Sequence, residues 1–310
     1  MSRSRSSSRT SAHVDLLCVG HTNLDHEVTV QDLPKSDRTV PVQHHALYLG
    51  GTASNIARWS ARSGLHAGLS SFIGEDFPAE FWELLRSDGV DVRGVVVRPG
   101  QLTPTCWIAR DQRNRQVTFI DQGAMGNTAD LPLPPLQGVK WVHLATGDPR
   151  FQLRVARAAV ELGIHVSSDP AQEIHYRWSA KDLAELLSLS EILFGNHHEL
   201  DRAARLLETG SVPALVERVP LVVETLGAQG AQAHSRRGTE TCPPVRVRNP
   251  QAVTGAGDAF RAGFYSAWLE GRALPQCLAE GCAAGATVAR HRRSLFLPID
   301  SRSKQREHGG

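Results

Sequence analysis

Short apolar runs alternate with amphipathic stretches along most of the chain, and this alternation limits the possible folds most narrowly. Five runs end in polar or glycine residues and predict buried strands: VDLLCVG (14–20), WVHLAT (141–146), HVSSDP (165–170), EILFGN (191–196) and PLVVETLG (220–227). The stretches between them, such as RFQLRVARAAVELG and NHHELDRAARLLE, have the apolar spacing of helices. This order is typical of an α/β fold with a doubly wound, mostly parallel central sheet flanked by helices. In such sheets ligands bind at the carboxyl ends of the strands.

Two segments depart from this pattern. Residues 26–48 and 101–121 alternate apolar and polar side chains, with turn residues between the alternating stretches, as half-exposed strands do. We predict that they form a small β-sheet that covers a pocket as a lid. Two peripheral hairpins without a function are the alternative.

The composition excludes several classes of partner. The chain carries 34 basic and 32 acidic side chains, so no excess of positive charge predicts a surface for nucleic acid. Its five cysteines form no Cys-x-x-Cys pair, which indicates a reducing compartment and therefore a cytoplasmic location. No apolar run approaches the roughly 20 residues that cross a bilayer, so we expect no membrane association.

The two ends of the chain have the composition of tails. Residues 1–13 are rich in serine and arginine without the apolar segment of a secretory signal, and we expect them to be disordered. Residues 301–310 form a polar tail at the other end. With 41% apolar residues, the 310-residue chain has enough material for one large α/β domain or two smaller ones.

The segment AVTGAGDAFRAGF (252–264) combines a glycine turn with the start of a helix. Gly255 and Gly257 let the backbone turn sharply and bring its N–H groups close to a ligand. The spacing of Phe260, Phe264 and the apolar residues that follow predicts a helix over 258–270 that packs one face on the core. Because a helix N-terminus beside unbonded amides attracts anions, this corner predicts a phosphate site.

Asp258 stands beside the predicted anion site. A carboxylate there can take the proton from an attacking hydroxyl group, which together with the anion site indicates a phosphoryl-transfer centre. The alternative is that Asp258 only caps the helix, as aspartates often do.

Five segments, in order, resemble the signatures of the PfkB or ribokinase-like carbohydrate and nucleoside kinases. They are CVGHTNLDHEV (18–28), the 48–77 segment that begins YLGGTASNIARWS, GNHHE (195–199), TLGAQGA (225–231) and VTGAGDAFRAGF (253–264). The resemblance extends through nearly the whole chain and implies a single ribokinase-like kinase domain over residues 14–300, with the lid formed by about 26–48 and 101–121.

The resemblance implies a role for each motif. Substrate binding is implied for Asn23, Asp25, Gly50, Gly51 and Asn55. Nucleotide binding is implied for Asn196, Thr225, Gly227 and Gly230. Glu199 would position Mg²⁺, through water, near the phosphates of ATP. The amides of Gly255, Ala256 and Gly257 would form an anion hole, with Asp258 as the catalytic base.

Plain structural alternatives remain open at two of these motifs. Asn23 and Asp25 would also suit an Asx-type turn after a strand, and residues 225–230 a simple tight turn. The chain also departs from the family pattern at Ala252, where members commonly carry an aspartate that organises the loop and, in several of them, a nearby monovalent-cation site. The resemblance therefore does not extend to potassium activation, and monovalent-cation dependence stays open. The segment SSDPAQE (167–173) lacks the arginine that often follows the Asp-Pro pair.

The resemblance implies an ATP-dependent kinase that phosphorylates a hydroxymethyl group of a sugar or nucleoside. GHTNLD, YLGGTASNIA and DPAQE look most like the archaeal-type members, which favours a ribosyl-bearing acceptor such as a nucleoside. A free sugar, a keto-deoxy sugar acid, and a non-catalytic sugar-binding regulatory protein are the alternatives. The absence of Gly-x-Gly-x-x-Gly after the first strand and of a Walker motif argues against a nicotinamide dehydrogenase and a P-loop NTPase. A homodimer formed through the lid is also implied.

Overall fold

The computed structural model describes residues 13–113, 115–248 and 254–295, without the side chains of 291–295. Three sequence predictions lie outside the described residues. They are the disordered tail up to residue 12, the departure at Ala252, and the polar tail of residues 301–310.

Thirteen strands are present in the described residues. They are β1 (Val14–Val19), β2 (Asn23–Thr29), β3 (His44–Gly50), β4 (Ala67–Ile73), β5 (Asp91–Val97), β6 (Thr105–Arg110), β7 (Gln116–Asp121), β8 (Val139–Leu144), β9 (His165–Ser168), β10 (Ile192–Asn196), β11 (Leu221–Thr225), β12 (Ala231–Ser235) and β13 (Gly238–Cys242). Nine of them form the central sheet, in the order β13-β12-β11-β10-β9-β8-β1-β4-β5. All neighbours from β11 to β5 pair in parallel, and β12 and β13 pair antiparallel at one edge.

Helices cover both faces of this sheet. They are α1 (Thr52–Arg62), α2 (Ala79–Ser87), α3 (Pro149–Glu161), α4 (Ala180–Ser188), α5 (His197–Leu206), α6 (Ala256–Trp268) and α7 (Leu274–Leu295). Side chains of α1, α2, α6 and α7 share one hydrophobic core with one face of the sheet, and those of α3, α4 and α5 share a second core with the other face. Strand β1 contributes Leu16 to the first core and Leu17 to the second, because successive side chains of a strand point to opposite faces. The predicted doubly wound α/β fold is confirmed.

A separate four-stranded sheet has the order β3-β2-β6-β7. Strands β2 and β3 form one antiparallel pair, β6 and β7 form another, and β2 pairs with β6 in parallel. The predicted second, smaller sheet is confirmed, and its strands fall within or next to the segments 26–48 and 101–121.

Two details of the sequence prediction differ from the structure. The helix expected over 258–270 spans Ala256–Trp268, so Asp258 lies inside its first turn. The five predicted strands are present, but the apolar pattern missed β4, β5, β12 and β13, of which β12 and β13 carry largely polar residues and β5 is mostly exposed or half-exposed. None of the described helices is long and apolar enough to span a bilayer.

Candidate active site

Several polar residues from different motifs lie at the carboxyl edge of the central sheet. Asn196 ends β10, Thr225 ends β11, and the two are partners in the parallel ladder. Asp169 directly follows β9, next to β10 in the same sheet. Since parallel strands place their carboxyl ends together, these side chains belong to one edge, where ligands bind in this class of fold.

Asn23 and Asp25 lie in β2 of the small sheet, on the same side of that strand because their positions differ by two. Both are buried. Asn23 Nδ2 donates to Cys106 Sγ of β6 at 3.4 Å, and Asn23 Oδ1 has no hydrogen-bond partner among the described residues. The regular ladder that β2 forms with β3 and β6 rules out the Asx-turn alternative.

The two glycines at the end of β3 make room for protein groups. A Cβ on Gly50 would lie 2.0–2.3 Å from the carboxyl atoms of Asp25. Gly51 has φ +94°, and a Cβ there would lie 2.3 Å from the carbonyl oxygen of His21. The resemblance implies substrate binding for both glycines, but the space beside Gly50 holds the Asp25 carboxylate. Gly50 therefore allows Asp25, a predicted acceptor residue, to take its position.

One hydrogen bond joins the N-terminal and C-terminal motifs. Asn55 Nδ2, in α1, donates to Asp258 Oδ2, in α6, at 2.8 Å. The N-cap residue of α6 is Gly255, and none of the described side chains caps this helix end. The interpretation of Asp258 as a helix cap is therefore wrong. Its carboxylate instead bonds to a residue of the predicted acceptor site.

The turn before α6 has the geometry that an anion site needs. Gly255 has φ +83°, in the left-handed region that glycine adopts without strain. No side chain of residues 13–113, 115–248 or 254–290 caps the first amides of α6, so within that part of the chain their N–H groups and the positive end of the helix dipole face no competing acceptor side chain. The structure thus supports the predicted phosphate site at Gly255, Ala256 and Gly257.

A buried arginine lies under this turn. Arg261 Nε forms an ion pair with Asp169 Oδ2, and Arg261 Nη1 donates to the carbonyl oxygen of Gly257 at 3.0 Å. A Cβ on Gly257 would lie 2.9 Å from Arg261 Nη1. A side chain at position 257 would therefore force the guanidinium group of Arg261 to shift.

Asp258 has a strongly shifted proton affinity. Burial raises the pKa of its carboxyl group to about 6, with further increases from Asp169 and Glu199, while Arg261 and the hydrogen bond from Asn55 lower it. At neutral pH the group is mostly ionised yet much more basic than an exposed aspartate. That combination suits a general base.

Asn196 and Glu199 form a capping box at the start of α5. The Asn196 side chain accepts from the Glu199 backbone N–H at 3.0 Å, and Glu199 Oε2 accepts from the Asn196 backbone N–H at 2.8 Å. Burial raises the pKa of Glu199, with a further increase from Asp169. The box fixes the Glu199 carboxylate close to the acidic cluster at the strand ends.

The remaining predicted residues shape the connection between β11 and β12. Thr225 Oγ1 donates weakly to the Gly195 carbonyl at 3.4 Å. Gly227 has φ +57° and Gly230 φ +96°, and a Cβ on Gly230 would lie 2.2 Å from the Cys242 carbonyl oxygen. These residues form a tight turn at the carboxyl end of β11, and in the described part of the chain no hydrogen bond links Gly227 or Gly230 to Asp258. Their role with the nucleotide stays a prediction.

Sequence reasoning missed two residues of this site. Arg261 follows Gly257 by one helical turn, and that spacing was the available signal. Asp169 was noted only as part of an Asp-Pro pair. Their ion pair joins positions 92 residues apart, which no local pattern reveals.

Comparison with known proteins agrees with this geometry. Residues 14–300 match the pfkB family carbohydrate kinases. The chain is 35% identical to a nucleoside kinase of Methanothermobacter thermautotrophicus over 85% of each chain. It is 31% identical to an ATP-dependent ribose-1-phosphate kinase of Halopiger xanaduensis, over 89% of this chain and 92% of that one.

A solved structure has the same fold. The crystal structure of the Methanocaldococcus jannaschii nucleoside kinase, described as an archaeal member of the ribokinase family, superposes with a TM-score of 0.83 at 32% identity, covering 89% of this chain and 91% of that one. The resemblance drawn from the five motifs is confirmed. This chain belongs to the pfkB family of carbohydrate kinases.

Proposed function

We propose that the chain is an ATP-dependent kinase that phosphorylates a hydroxymethyl group of a ribosyl-bearing acceptor, with a nucleoside as the preferred substrate. The observation that carries this proposal is the hydrogen bond between Asn55 and Asp258. This bond supports the proposal because it joins the predicted base to a predicted acceptor residue, and the base lies in the first turn of α6, next to residues 254–257, the phosphate turn. Phosphoryl transfer between two bound molecules is fastest when the base, the acceptor and the phosphate are held close together.

In the proposed reaction the acceptor is held by Asn23, Asp25 and Asn55. Asn23 and Asp25 bind hydroxyl groups of the ribose, and the attacking hydroxyl lies in line with the γ-phosphorus of ATP. Asp258 accepts the proton of that hydroxyl, which need not leave fully before attack because the transition state is loose. The amides of Gly255, Ala256 and Gly257 stabilise the charge on the transferred group.

A divalent cation at the strand ends would be held through water and the phosphates of ATP, because the described residues contain no group of three or more His, Cys, Asp or Glu side chains that could hold a metal ion. Asp169, Glu199 and Asp258 are coupled electrostatically, and within this described cluster Arg261 is their shared cation. Asp169 Oδ1 has no hydrogen-bond partner among the described residues. The surplus of negative charge suits Mg²⁺, which Glu199 would hold through water. When bound, Mg²⁺ neutralises charge on the phosphates of ATP.

The small sheet is proposed to close over the site as a lid. Arg110, at the end of β6, donates from Nη2 to Thr254 Oγ1 of the phosphate turn at 3.2 Å. Contact between the small sheet and this turn would exclude water, which otherwise competes as the acceptor. Hydrolysis of ATP without an acceptor should therefore be slow.

An aromatic ring near the acceptor residues supports a base-bearing substrate. Tyr176 is 60% exposed. Its phenol contacts Gln122, whose Oε1 accepts from His21 at 2.7 Å and from Arg177 at 3.1 Å. His21 lies two residues before Asn23, so this chain of hydrogen bonds connects Tyr176 with the start of β2. An exposed ring and an amide beside a ribose site suit stacking and hydrogen bonding with a nucleobase.

A panel of acceptors tests this function. The pure protein is incubated with MgATP and purine nucleosides, pyrimidine nucleosides, ribose, ribose 1-phosphate and a keto-deoxy sugar acid, and ADP release is followed. We expect kcat/KM for the best nucleoside to exceed that for ribose by about 10- to 100-fold, the value of one stacked base. A higher value for a free sugar or sugar acid would contradict the nucleoside preference. Binding of a sugar without any ADP release would favour the non-catalytic alternative.

We also propose that two copies associate through the outward face of the small sheet. This lid face consists of His26, Val28, Val42, His45, Trp107, Val117 and Phe119. The first five line a groove of about 420 Å³, and Phe119 is 62% exposed. A contiguous apolar patch of this kind marks an interaction surface.

All five cysteines are buried and free, which supports the proposed cytoplasmic location.

Sedimentation equilibrium tests the dimer. Wild-type protein is expected to sediment as a dimer, and Phe119→Lys as a monomer, because a buried charge is costly in an apolar interface. Leu162→Lys is the matched control, since Leu162 is 59% exposed at the end of α3, outside the lid face. A monomeric wild type, or a dimeric Phe119→Lys variant, would exclude association through this surface.

A further inference from the structure

Arg261 is held on several sides by groups of three different elements. It is 5% exposed and lies in α6 one turn after Gly257. Its Nε pairs with Asp169, its Nη1 bonds to the Gly257 carbonyl at 3.0 Å, and its guanidinium carbon lies 5.9 Å from the ring centroid of Phe194 in β10. The side chain therefore has one defined position under the phosphate turn.

The ion pair alone does not explain a buried arginine. Replacing a buried pair by apolar residues of similar size is often neutral for stability or stabilising, because two charges lose their hydration. The same region also carries more acidic groups than Arg261 can pair.

Charged groups from three elements act on Asp258. Arg261 lies three positions after Asp258 on the same face of α6, Asp169 follows β9, and Glu199 lies in α5, whereas the buried Cys18 thiol of β1 stays neutral because burial raises its pKa. Burial and the two carboxylates favour the protonated form of Asp258. Arg261 and the neutral donor Asn55 oppose them. Among the described charged groups that act on Asp258, Arg261 is the one that favours its ionised, catalytically competent form.

Arg261 also acts on the turn itself. Its bond to the Gly257 carbonyl adds to the helical bond that this oxygen already accepts in α6. In the trans peptide group that joins Gly257 to Asp258 the N–H points away from the carbonyl, so holding this carbonyl beneath the turn fixes the end of the turn and directs the Asp258 N–H to the opposite side, toward the anion site. One side chain thus supports both the base and the anion hole.

We propose that Arg261, fixed by Asp169, is a positioning residue for phosphoryl transfer that keeps Asp258 ionised and holds the turn 255–257 in its anion-binding geometry. This inference rests on the proposed function for its kinetic consequences. Its effect on the ionisation of Asp258 can be measured without turnover.

The kinetic test compares the pH dependence of kcat/KM for the best acceptor in wild type, Arg261→Met and Arg261→Lys. Wild-type activity is expected to fall below pH about 6 as Asp258 is protonated. In Arg261→Met the fall should begin about one to three pH units higher, because an opposite charge close to the base has been removed. Arg261→Lys keeps the charge and should retain the wild-type pH dependence, with a lower kcat because lysine cannot bond both Asp169 and Gly257. Unchanged pH dependence in Arg261→Met would overturn the proposal.

A second measurement needs no catalysis. Because folding raises the pKa of Asp258 from 3.8 to about 6, its ionisation opposes folding, and Asp258→Asn should stabilise the protein increasingly between those pH values. In the Arg261→Met background this stabilisation should continue to increase at higher pH. Thermal unfolding of wild type, Asp258→Asn, Arg261→Met and the double variant, measured across this pH range, tests the expectation. If Asp258→Asn changes the unfolding temperature with the same pH dependence in both backgrounds, the role of Arg261 is refuted. If the pH dependence is as expected but no acceptor is phosphorylated, only the kinase assignment is refuted.

Two further variants separate structure from charge. Arg261→Gln removes the charge but can still donate to the Gly257 carbonyl. If Arg261→Met does not fold, Arg261→Gln replaces it, and the same shift in the pH dependence of kcat/KM is expected. Arg58→Met is the matched control, because Arg58 is also a buried arginine paired with an aspartate, Asp88, at 2.6 Å. It should lower the unfolding temperature without moving the pH dependence of kcat/KM. A shift in Arg58→Met equal to that in Arg261→Met would show a general effect of lost stability and overturn the proposal.

Discussion

Replacing Asp258 with asparagine is expected to lower kcat by about 10²- to 10⁴-fold while the Kd of the acceptor changes little. The amide keeps the size of the carboxylate and can still accept the hydrogen bond from Asn55. It cannot take a proton from the attacking hydroxyl. The loss should therefore fall on the chemical step.

Steady-state kinetics and isothermal titration calorimetry with the acceptor measure the two quantities separately. Asp182→Asn is the matched control, because Asp182 lies in the first turn of α4 as Asp258 lies in the first turn of α6. It should keep the wild-type kcat. An Asp258→Asn enzyme within tenfold of the wild-type kcat would show that another group receives the proton.

Gly50→Ala is expected to reduce kcat/KM for the acceptor by about 10²-fold or more, the effect of a displacement of about 1 Å at a reacting centre. The new Cβ would lie 2.0 Å from Asp25 Oδ2 and 2.3 Å from Oδ1, so the carboxylate must leave its position. Asp25 is the residue proposed to bind ribose hydroxyl groups. A site built to bond hydroxyl groups loses affinity sharply when its polar groups are misplaced.

The KM of ATP should stay near its wild-type value in Gly50→Ala, because Gly50 lies at the acceptor side of the site. Gly64→Ala is the control: Gly64 has φ +93° but nothing within 4 Å of a Cβ, so it tests backbone strain without a steric clash. Asp25→Ala should reproduce the acceptor defect. An acceptor KM unchanged in Gly50→Ala would refute the assigned role of Asp25.

The apolar pattern revealed strands that are buried on both faces, and it failed where burial is incomplete. The side chains of LVVET in β11 are apolar enough to predict a buried strand. In contrast, AQAHS of β12 and GTETC of β13 are largely polar and form the antiparallel edge of the sheet. Strand β4 is fully buried but carries Ser70 and Ser71 in its middle, which hides it from an apolar count. Hydrophobic periodicity reports whether side chains are buried in an apolar core. An edge strand pairs through its backbone without that burial, so the pattern does not reveal it.

The candidate site was predictable where its chemistry is local. The glycine turn, the helix start and Asp258 are contiguous, so elementary helix electrostatics was enough to propose a phosphate site there. The bond from Asn55 to Asp258 spans 203 positions and the pair of Asp169 with Arg261 spans 92. Those contacts depend on which strands become neighbours. The sequence motifs implied the roles of Asn55 and Asp258 but not the bond between them.

The position of β1 between β4 and β8, together with the packing of α1 against α6, has a consequence for the order of events during synthesis. Strand β1 leaves the ribosome first, but its sheet partners β4 and β8 are translated later, so β1 cannot pair until they have emerged. The phosphate turn and Asp258 are translated after the whole parallel part of the sheet. A nascent chain that ends before α6 would carry the proposed acceptor residues Asn23, Asp25 and Asn55 but not the proposed base, Asp258. Any acceptor that it bound could not be phosphorylated.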